Sequence, residues 1–443
     1  MRIVYLAAGA AGMYCGTCLH DNTLAAALSA AGDDVLLVPT YTPIRTDEND
    51  VSQRRVMFGG INVYLQQLSP LLRFLPPFLN RAFDSPKLLG GLSKLNFSID
   101  AAKLGALTVS VLRGEEGRQR KELAKLVDWL ATEIKPDVVH LSNAMLAGMA
   151  RQISQRLGVP VLCSLTGEDI FLEKLRSPYR EQARDVLRER ASDVRGFVAL
   201  NRYYAGYMAE YMGIDASRIE IIPHGLNLAG HGTRPAIADR QPFTIGYLAR
   251  ICHDKGLHQL VEAFKLLKDD RSLPPVKLRV AGYLGAADRK YLEGIRARVD
   301  EWGLKDDFEY VGEVDRPGKI AFLQSLDVMC LPTVYRESKG ISVLESLANA
   351  VAVVLPAHGT FPEVIDDTGG GVLFPPGDTA ALAQALRRLV VDPAQAVDLG
   401  RRGQEVVHSR YTAERMAELT RALYHRTLSQ RQTAPSFLSG KSS

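Results

Sequence analysis

Cysteine is scarce in this chain: Cys15, Cys18, Cys163, Cys252 and Cys330 are the five in 443 residues. An odd, sparse set excludes a disulfide scaffold and fits a reducing, cytoplasmic setting. Excess charge is scarce too. Lysine and arginine number 54 against 50 acidic residues, a net charge of +4, which excludes a nucleic-acid partner held by bulk charge. No run approaches the ~20 consecutive apolar residues of a membrane span. The uncharged stretch Ser346–Pro362 carries Asn349, Pro356, His358 and Gly359, and reads as a helix end, a strand and a loop. At the N-terminus, Ile3-Val4-Tyr5-Leu6-Ala7-Ala8 is interrupted by Gly9 and Gly12. It reads as a buried first strand rather than the core of a signal peptide. A dinucleotide fingerprint is also lacking. Gly9 to Gly12 gives Gly-x-x-Gly, and Val38-Pro39-Thr40-Tyr41 offers no acid at the end of the second strand, which argues against a dehydrogenase.

What the chain does have is alternation. At about 100–200 residues per domain, its length suggests two large domains or three small ones. Short apolar runs predict strands over 3–7, 35–38, 138–141, 159–164, 196–200 and 219–222, with a helix over 20–31 stopped by Gly32. A polar stretch with glycine and proline, 229–241, interrupts the pattern. It then restarts with strands over 244–247, 277–281, 308–311, 328–331 and 351–355, and helices over 257–268, 287–302, 318–325 and 342–349. Nearly continuous apolar strands separated by helices indicate parallel sheets covered on both faces. The expected fold is α/β: two doubly wound, Rossmann-like domains, residues 1–230 and 231–410, facing each other across a cleft. A terminal helix over 411–427 is expected to cross back to the first domain, and the polar, serine-rich 428–443 to be disordered. Ligands of such sheets bind outside the carboxyl ends of the strands, so the cleft is the default site. Pro70 to Gly114, with Phe74-Leu75-Pro76-Pro77-Phe78-Leu79, breaks the alternation. It reads as an excursion shaping an acceptor pocket, with a weak peripheral membrane contact as the alternative.

The most informative stretch runs from Leu331 to Glu345, Leu-Pro-Thr-Val-Tyr-Arg-Glu-Ser-Lys-Gly-Ile-Ser-Val-Leu-Glu. It follows a strand and opens a helix. Glu337 lies in the loop and Glu345 one turn into the helix. Gly340 between them lets a ligand approach the backbone, and the free amides of the helix start attract an anion. A carboxylate in Glu345's place can accept two hydrogen bonds from a vicinal diol such as a ribose, and Glu337 can hold another hydroxylated group. The bland alternative is charge satisfaction at a helix N-terminus. Upstream, Gly246-Tyr247-Leu248-Ala249-Arg250 leads to Lys255-Gly256. Two fixed cations there can clamp a diphosphate and stabilise it as it leaves; the alternative is a pair of solvated surface charges.

Together these elements resemble the nucleotide-sugar glycosyltransferases of the GT-B fold, specifically the retaining glycosyltransferase family 4. The matches are Glu337 and Glu345 in the Glu-x7-Glu motif, Arg250 with Lys255-Gly256, Val280-Ala281-Gly282, Val311-Gly312, Asp327-Val328 leading to Leu331-Pro332, Phe361-Pro362-Glu363-Val364-Ile365, Gly370-Gly371-Val372-Leu373-Phe374, and Ile222-Pro223-His224-Gly225-Leu226-Asn227. The resemblance implies that Arg250 and Lys255 bind the donor's diphosphate, that Glu345 binds its ribose and that Glu337 contacts its sugar. It puts the amides around Gly340 and Ile341 on sugar or phosphate, and Gly9 and Gly12 toward diphosphate or acceptor. Arg250, Lys255 and Glu337 are the implied catalytic set. The partners are then a nucleoside-diphosphate sugar and a hydroxyl acceptor: a glycan, a lipid or a small molecule. No cofactor and no metal are implied, in keeping with the lack of an Asp-x-Asp motif, since cations and helix amides do the ion's work.

The first domain departs from the pattern. Ser164-Leu165-Thr166-Gly167-Glu168-Asp169 puts Thr166 where the family commonly has histidine, and Cys15-Gly16-Thr17-Cys18 replaces a Gly-Gly. His20 or Asp21 could stand in for the histidine, the alternative being a surface or capping role. Glu168 and Asp169 could meet acceptor hydroxyls, the alternative being loop polarity. Cys15 and Cys18 read as two thiols in a buried turn, with a redox pair as the alternative. A sugar-nucleotide epimerase of the same fold, and a binding protein that keeps the donor site, are the competing functions.

Overall fold

The computed structural model describes residues 1–9, 15–53, 101–232 and 242–432. The chain forms two compact units. One comprises Met1–Leu200, Ala205–Pro223 and the chain from Glu414; the other comprises Asn201–Tyr204 and His224–Ala413.

In the first unit, six strands pair in parallel: β1 (Arg2–Ala7), β2 (Asp34–Pro39), β3 (Val138–Leu141), β4 (Val161–Leu165), β5 (Gly196–Ala199) and β6 (Ile219–Ile221), in the order β2-β1-β3-β4-β5-β6. Interior β3 and β4 are buried at every residue, whereas edge strand β6 is buried only at Ile219. This is why the interior strands read as unbroken apolar runs. The predicted first helix begins earlier than its periodicity suggests, at Gly16.

The second unit repeats the plan with β7 (Phe243–Leu248), β8 (Val276–Ala281), β9 (Phe308–Gly312), β10 (Val328–Cys330), β11 (Ala352–Pro356) and β12 (Gly371–Phe374). The order is β12-β11-β10-β7-β8-β9, all parallel. Read from the other edge, this is the doubly wound order 3-2-1-4-5-6, in which successive crossovers change direction between β7 and β10. The loops leaving those two strands stand side by side at the carboxyl edge.

The helix Ala413–Gln432 packs on the first sheet, with Met416, Ala417 and Tyr424 in the core of β1, β3 and β4. Tyr424 bonds His140 Nδ1 at 2.6 Å, and His140 Nε2 lies 2.9 Å from Ser164 Oγ. Burial, reinforced by the nearby His20, pushes the His140 pKa down to about 3, so the ring stays neutral. The expectation of disorder from Leu428 is corrected in part. The helix continues to Gln432 because Thr427 and Leu428 follow Tyr424 at helical spacing on the docked face, and Arg195 holds Gln430 Oε1 at 3.1 Å. Residues 433–443 lie outside the described residues. So does most of the 70–114 excursion; its last part, Ala101–Leu112, is a helix. Among the described residues no helix is long and apolar enough to cross a membrane.

Candidate active site

Six of the predicted site residues stand in the second unit, on the two loops that leave the sheet at its crossover and on the helix that follows the second of them. Arg250 and Lys255 leave β7; Glu337, Gly340, Ile341 and Glu345 follow β10. The loops are stitched together. The Val334 amide donates to the Asp254 carbonyl at 2.9 Å. The fully buried Tyr247 directs its hydroxyl at the carbonyls of Arg250 (3.3 Å) and Lys255 (3.4 Å). Gly256 has φ +75°, and a Cβ there would lie 1.7 Å from the Pro332 carbonyl oxygen. No side chain fits at that position, so glycine sets how closely the two loops pack.

Lys255 and Glu337, 82 residues apart in sequence, meet at 2.6 Å. Tyr335 completes a triangle: its hydroxyl accepts from Lys255 Nζ at 2.6 Å and donates to Glu337 Oε2 at 2.6 Å. Glu337 Oε1 accepts from the amides of Ser338 (3.1 Å) and Lys339 (3.2 Å). Only 4% of Glu337 is exposed, and burial alone would raise its pKa. Lys255, the Tyr335 hydroxyl and the charge of Lys339 more than offset this and hold it at about 2. Arg250 is exposed, and its charge acts on Tyr335.

The low pKa has a measurable consequence. A carboxylate below its unfolded value of ~4.3 adds stability that is complete above that pH and is lost as pH falls toward 2. Urea unfolding between pH 5 and 2.5 is expected to show stability falling more steeply in the wild type than in Glu337→Gln. Parallel pH dependences would contradict the ion pair.

Gly340 caps the helix Ile341–Ala348, so the Ile341 amide opens it. One turn in, Glu345 is buried and forms a short ion pair with Lys319, itself buried on the helix Arg316–Gln324. Lys319 is a site residue that motif reading misses. Its signal lies in the periodicity: Lys319 falls on the buried stripe with Phe322 and Leu323, at i, i+3 and i+4. Asn201 is another. Its Nδ2 donates to the Ser338 carbonyl at 2.7 Å from the short segment Asn201–Tyr204 that belongs to this unit.

The first unit holds the remaining candidates. Gly9 lies just beyond β1 with φ +86°, and a Cβ there would lie 2.0 Å from the Thr42 carbonyl oxygen. Gly12 lies outside the described residues. Glu168, weighed above between an acceptor contact and loop polarity, has a structural task. Its carboxylate is 5% exposed and accepts from the amides of Ala144 (2.7 Å), Thr166 (2.8 Å) and Gly167 (2.9 Å), tying the exits of β3 and β4 together. His20 and Asp21 are buried, which removes the surface role. All five cysteines are free thiols, and Cys18 is pushed far above the usual range by Cys15 and by burial, the opposite of a reactive thiolate.

The glycosyl transferases group 1 family matches residues 234–406, and a glycosyl transferase 4-like domain matches residues 22–225. Together the two matches span most of the chain, which belongs to these glycosyl transferases. Among its relatives, phosphatidyl-myo-inositol mannosyltransferase of Mycobacterium leprae is 31% identical over 46% of this chain and 52% of its own length. The chain thus spans about half the length of that relative. The 2-deoxystreptamine glucosyltransferase of Streptomyces kanamyceticus is 25% identical over 73% of this chain and 89% of its own. Sucrose-phosphate synthase from Thermosynechococcus elongatus shares the fold with a TM-score of 0.70 at 19% identity, covering 97% of this chain and 100% of that one. Anabaena Alr3699/HepE, solved in complex with UDP, has a TM-score of 0.66 at 15% identity, covering 96% and 100%. The two parallel six-stranded sheets of this family member are thus those of the GT-B fold.

Proposed function

We propose that this chain is a retaining glycosyltransferase that moves a hexosyl unit from a nucleoside-diphosphate sugar to a hydroxyl acceptor (a glycan, a lipid or a small molecule) without a metal ion or cofactor. The observation that carries this reading is the convergence of Lys255 and Glu337 at the mouth of the helix that buries Glu345. On this reading Arg250, Lys255 and the amides of Gly340 and Ile341 take the diphosphate. Glu345 exchanges Lys319 for the ribose hydroxyls, and Glu337 accepts from a hydroxyl of the donor sugar. Gly9 and Gly12 serve the diphosphate or the acceptor.

The acceptor oxygen forms a bond to the sugar's anomeric carbon as the bond from that carbon to the phosphate oxygen breaks on the same face. The acceptor proton passes to the departing phosphate. The two cations neutralise the charge that develops there, the task a divalent ion performs elsewhere. Hexosyl transfer is supported by the mannosyl and glucosyl activities named for the relatives, and a reducing, cytoplasmic setting by the five free thiols.

The test is a thermal-shift panel of UDP, GDP, ADP and their hexose conjugates. A ligand of the native state at 100 times its Kd adds about 2.7 kcal/mol of stability. One nucleotide series is expected to raise the unfolding midpoint, and to do so equally with excess EDTA. No shift from any of them would overturn the donor site, and a shift abolished by EDTA would overturn its metal independence.

A further inference from the structure

We propose that Tyr335 is a positioning residue for the donor sugar: its hydroxyl keeps the Glu337 carboxylate in place when Lys255 turns away to a diphosphate. The inference rests on the donor reading above and adds a residue and an order of events to it.

The geometry is a three-way contact. The phenol accepts from the Lys255 ammonium and donates to Glu337 Oε2, while Lys255 also donates to that same oxygen, each at 2.6 Å. The ammonium lies 5.0 Å from the centre of the Tyr335 ring, on its hydroxyl edge. Without ligand, Lys255 is therefore held by one carboxylate and one phenol hydroxyl. A diphosphate carries more negative charge than one carboxylate and competes for the ammonium.

Once Lys255 moves, the two oxygens of Glu337 differ. Oε1 keeps the amides of Ser338 and Lys339. Oε2 loses its cation on a residue that is 4% exposed, where an oxygen without a donor is costly. The Tyr335 hydroxyl remains on Oε2 and leaves the other lone pair of that oxygen open to a sugar hydroxyl. Tyr335 thus supports ligands that bring a sugar, through Glu337, and gives no such support to ligands that bring the diphosphate alone.

The experiment is calorimetric titration of the full chain and of Tyr335→Phe with inorganic pyrophosphate, UDP and UDP-glucose, and with GDP and GDP-mannose. Phenylalanine keeps the ring and removes only the hydroxyl. The variant is expected to bind pyrophosphate and the free nucleotides at least as tightly as the wild type, because the lost hydroxyl also held Lys255, and to bind the sugar conjugate about tenfold more weakly, the size of one hydrogen bond to a charged group. In a Glu337→Gln background, Tyr335→Phe is expected to add no further loss, because its route of action is gone. Equal weakening of pyrophosphate, nucleotide and conjugate would overturn the inference, as would a full additional loss in the Gln background. A wild-type chain that binds none of the probes overturns the donor reading itself, a result distinct from one in which the probes bind and Tyr335→Phe does not discriminate among them.

Discussion

Replacing Arg250 and Lys255 together by alanine is expected to lower kcat/KM for sugar transfer by about 10³-fold or more. Removing one fixed donor from a developing anion costs ~10²–10³-fold in known enzymes, and two cations acting on one diphosphate couple rather than add. The single variants separate catalysis from folding. Arg250 is exposed, so Arg250→Ala should leave the unfolding midpoint nearly unchanged while slowing transfer. Lys255→Ala also strands the Glu337 carboxylate, which keeps Tyr335 and two amides but loses its ammonium; it should lower both rate and midpoint. Release of nucleoside diphosphate from the donor, followed at saturating acceptor, is the direct measurement. Full turnover in the double variant would remove both residues from the mechanism.

The second large effect falls on stability. Lys319→Met leaves Glu345 buried without its cation. Both side chains of the pair are almost wholly enclosed, with 9% and 6% exposed. Breaking one half of such a pair costs about 3–5 kcal/mol, whereas replacing both halves by apolar groups is often neutral. Urea unfolding of Lys319→Met should therefore show a midpoint shifted to much lower denaturant at an unchanged slope. Lys319→Met combined with Glu345→Leu should recover most of the loss but bind no nucleotide. If Lys319→Met unfolds like the wild type, Glu345 is not held as described, and its exchange from lysine to ribose falls with it.

The sheets are legible in the sequence because parallel strands buried on both faces leave unbroken apolar runs; Val138 to Leu141 is read to the residue. The four charged donor-site residues are legible for a similar reason: each sits at a strand exit or a helix start, where Gly256 and Gly340 mark the turn. What escapes is whatever depends on which strands are neighbours. Nothing near Lys319 announces Glu345, since their pairing follows from how the helix after β9 packs beside the helix after β10. Tyr335 reads as an ordinary loop aromatic until Lys255 is brought against it. Glu168 fails in the opposite direction. An acid in a loop beside a conspicuous motif suggests a ligand, but its oxygens are already committed to three backbone amides, and a carboxylate so engaged has little left to offer a substrate.

The bond from Asn201 to the Ser338 carbonyl limits how the molecule can be divided. A polypeptide spanning only His224 to Ala413 contains every charged group of the donor site. It lacks Asn201, and it lacks the amides of Arg202 and Tyr203 that Glu363 accepts at 2.9 Å each. Cut away at residue 224, the loop that carries Glu337 loses an anchor supplied from upstream, and Glu363 loses the two amides it accepts from. The excised half is therefore a poorer nucleotide binder than its own side chains suggest, and adding residues 201–204 in trans is no remedy for a tether that worked by being covalently attached.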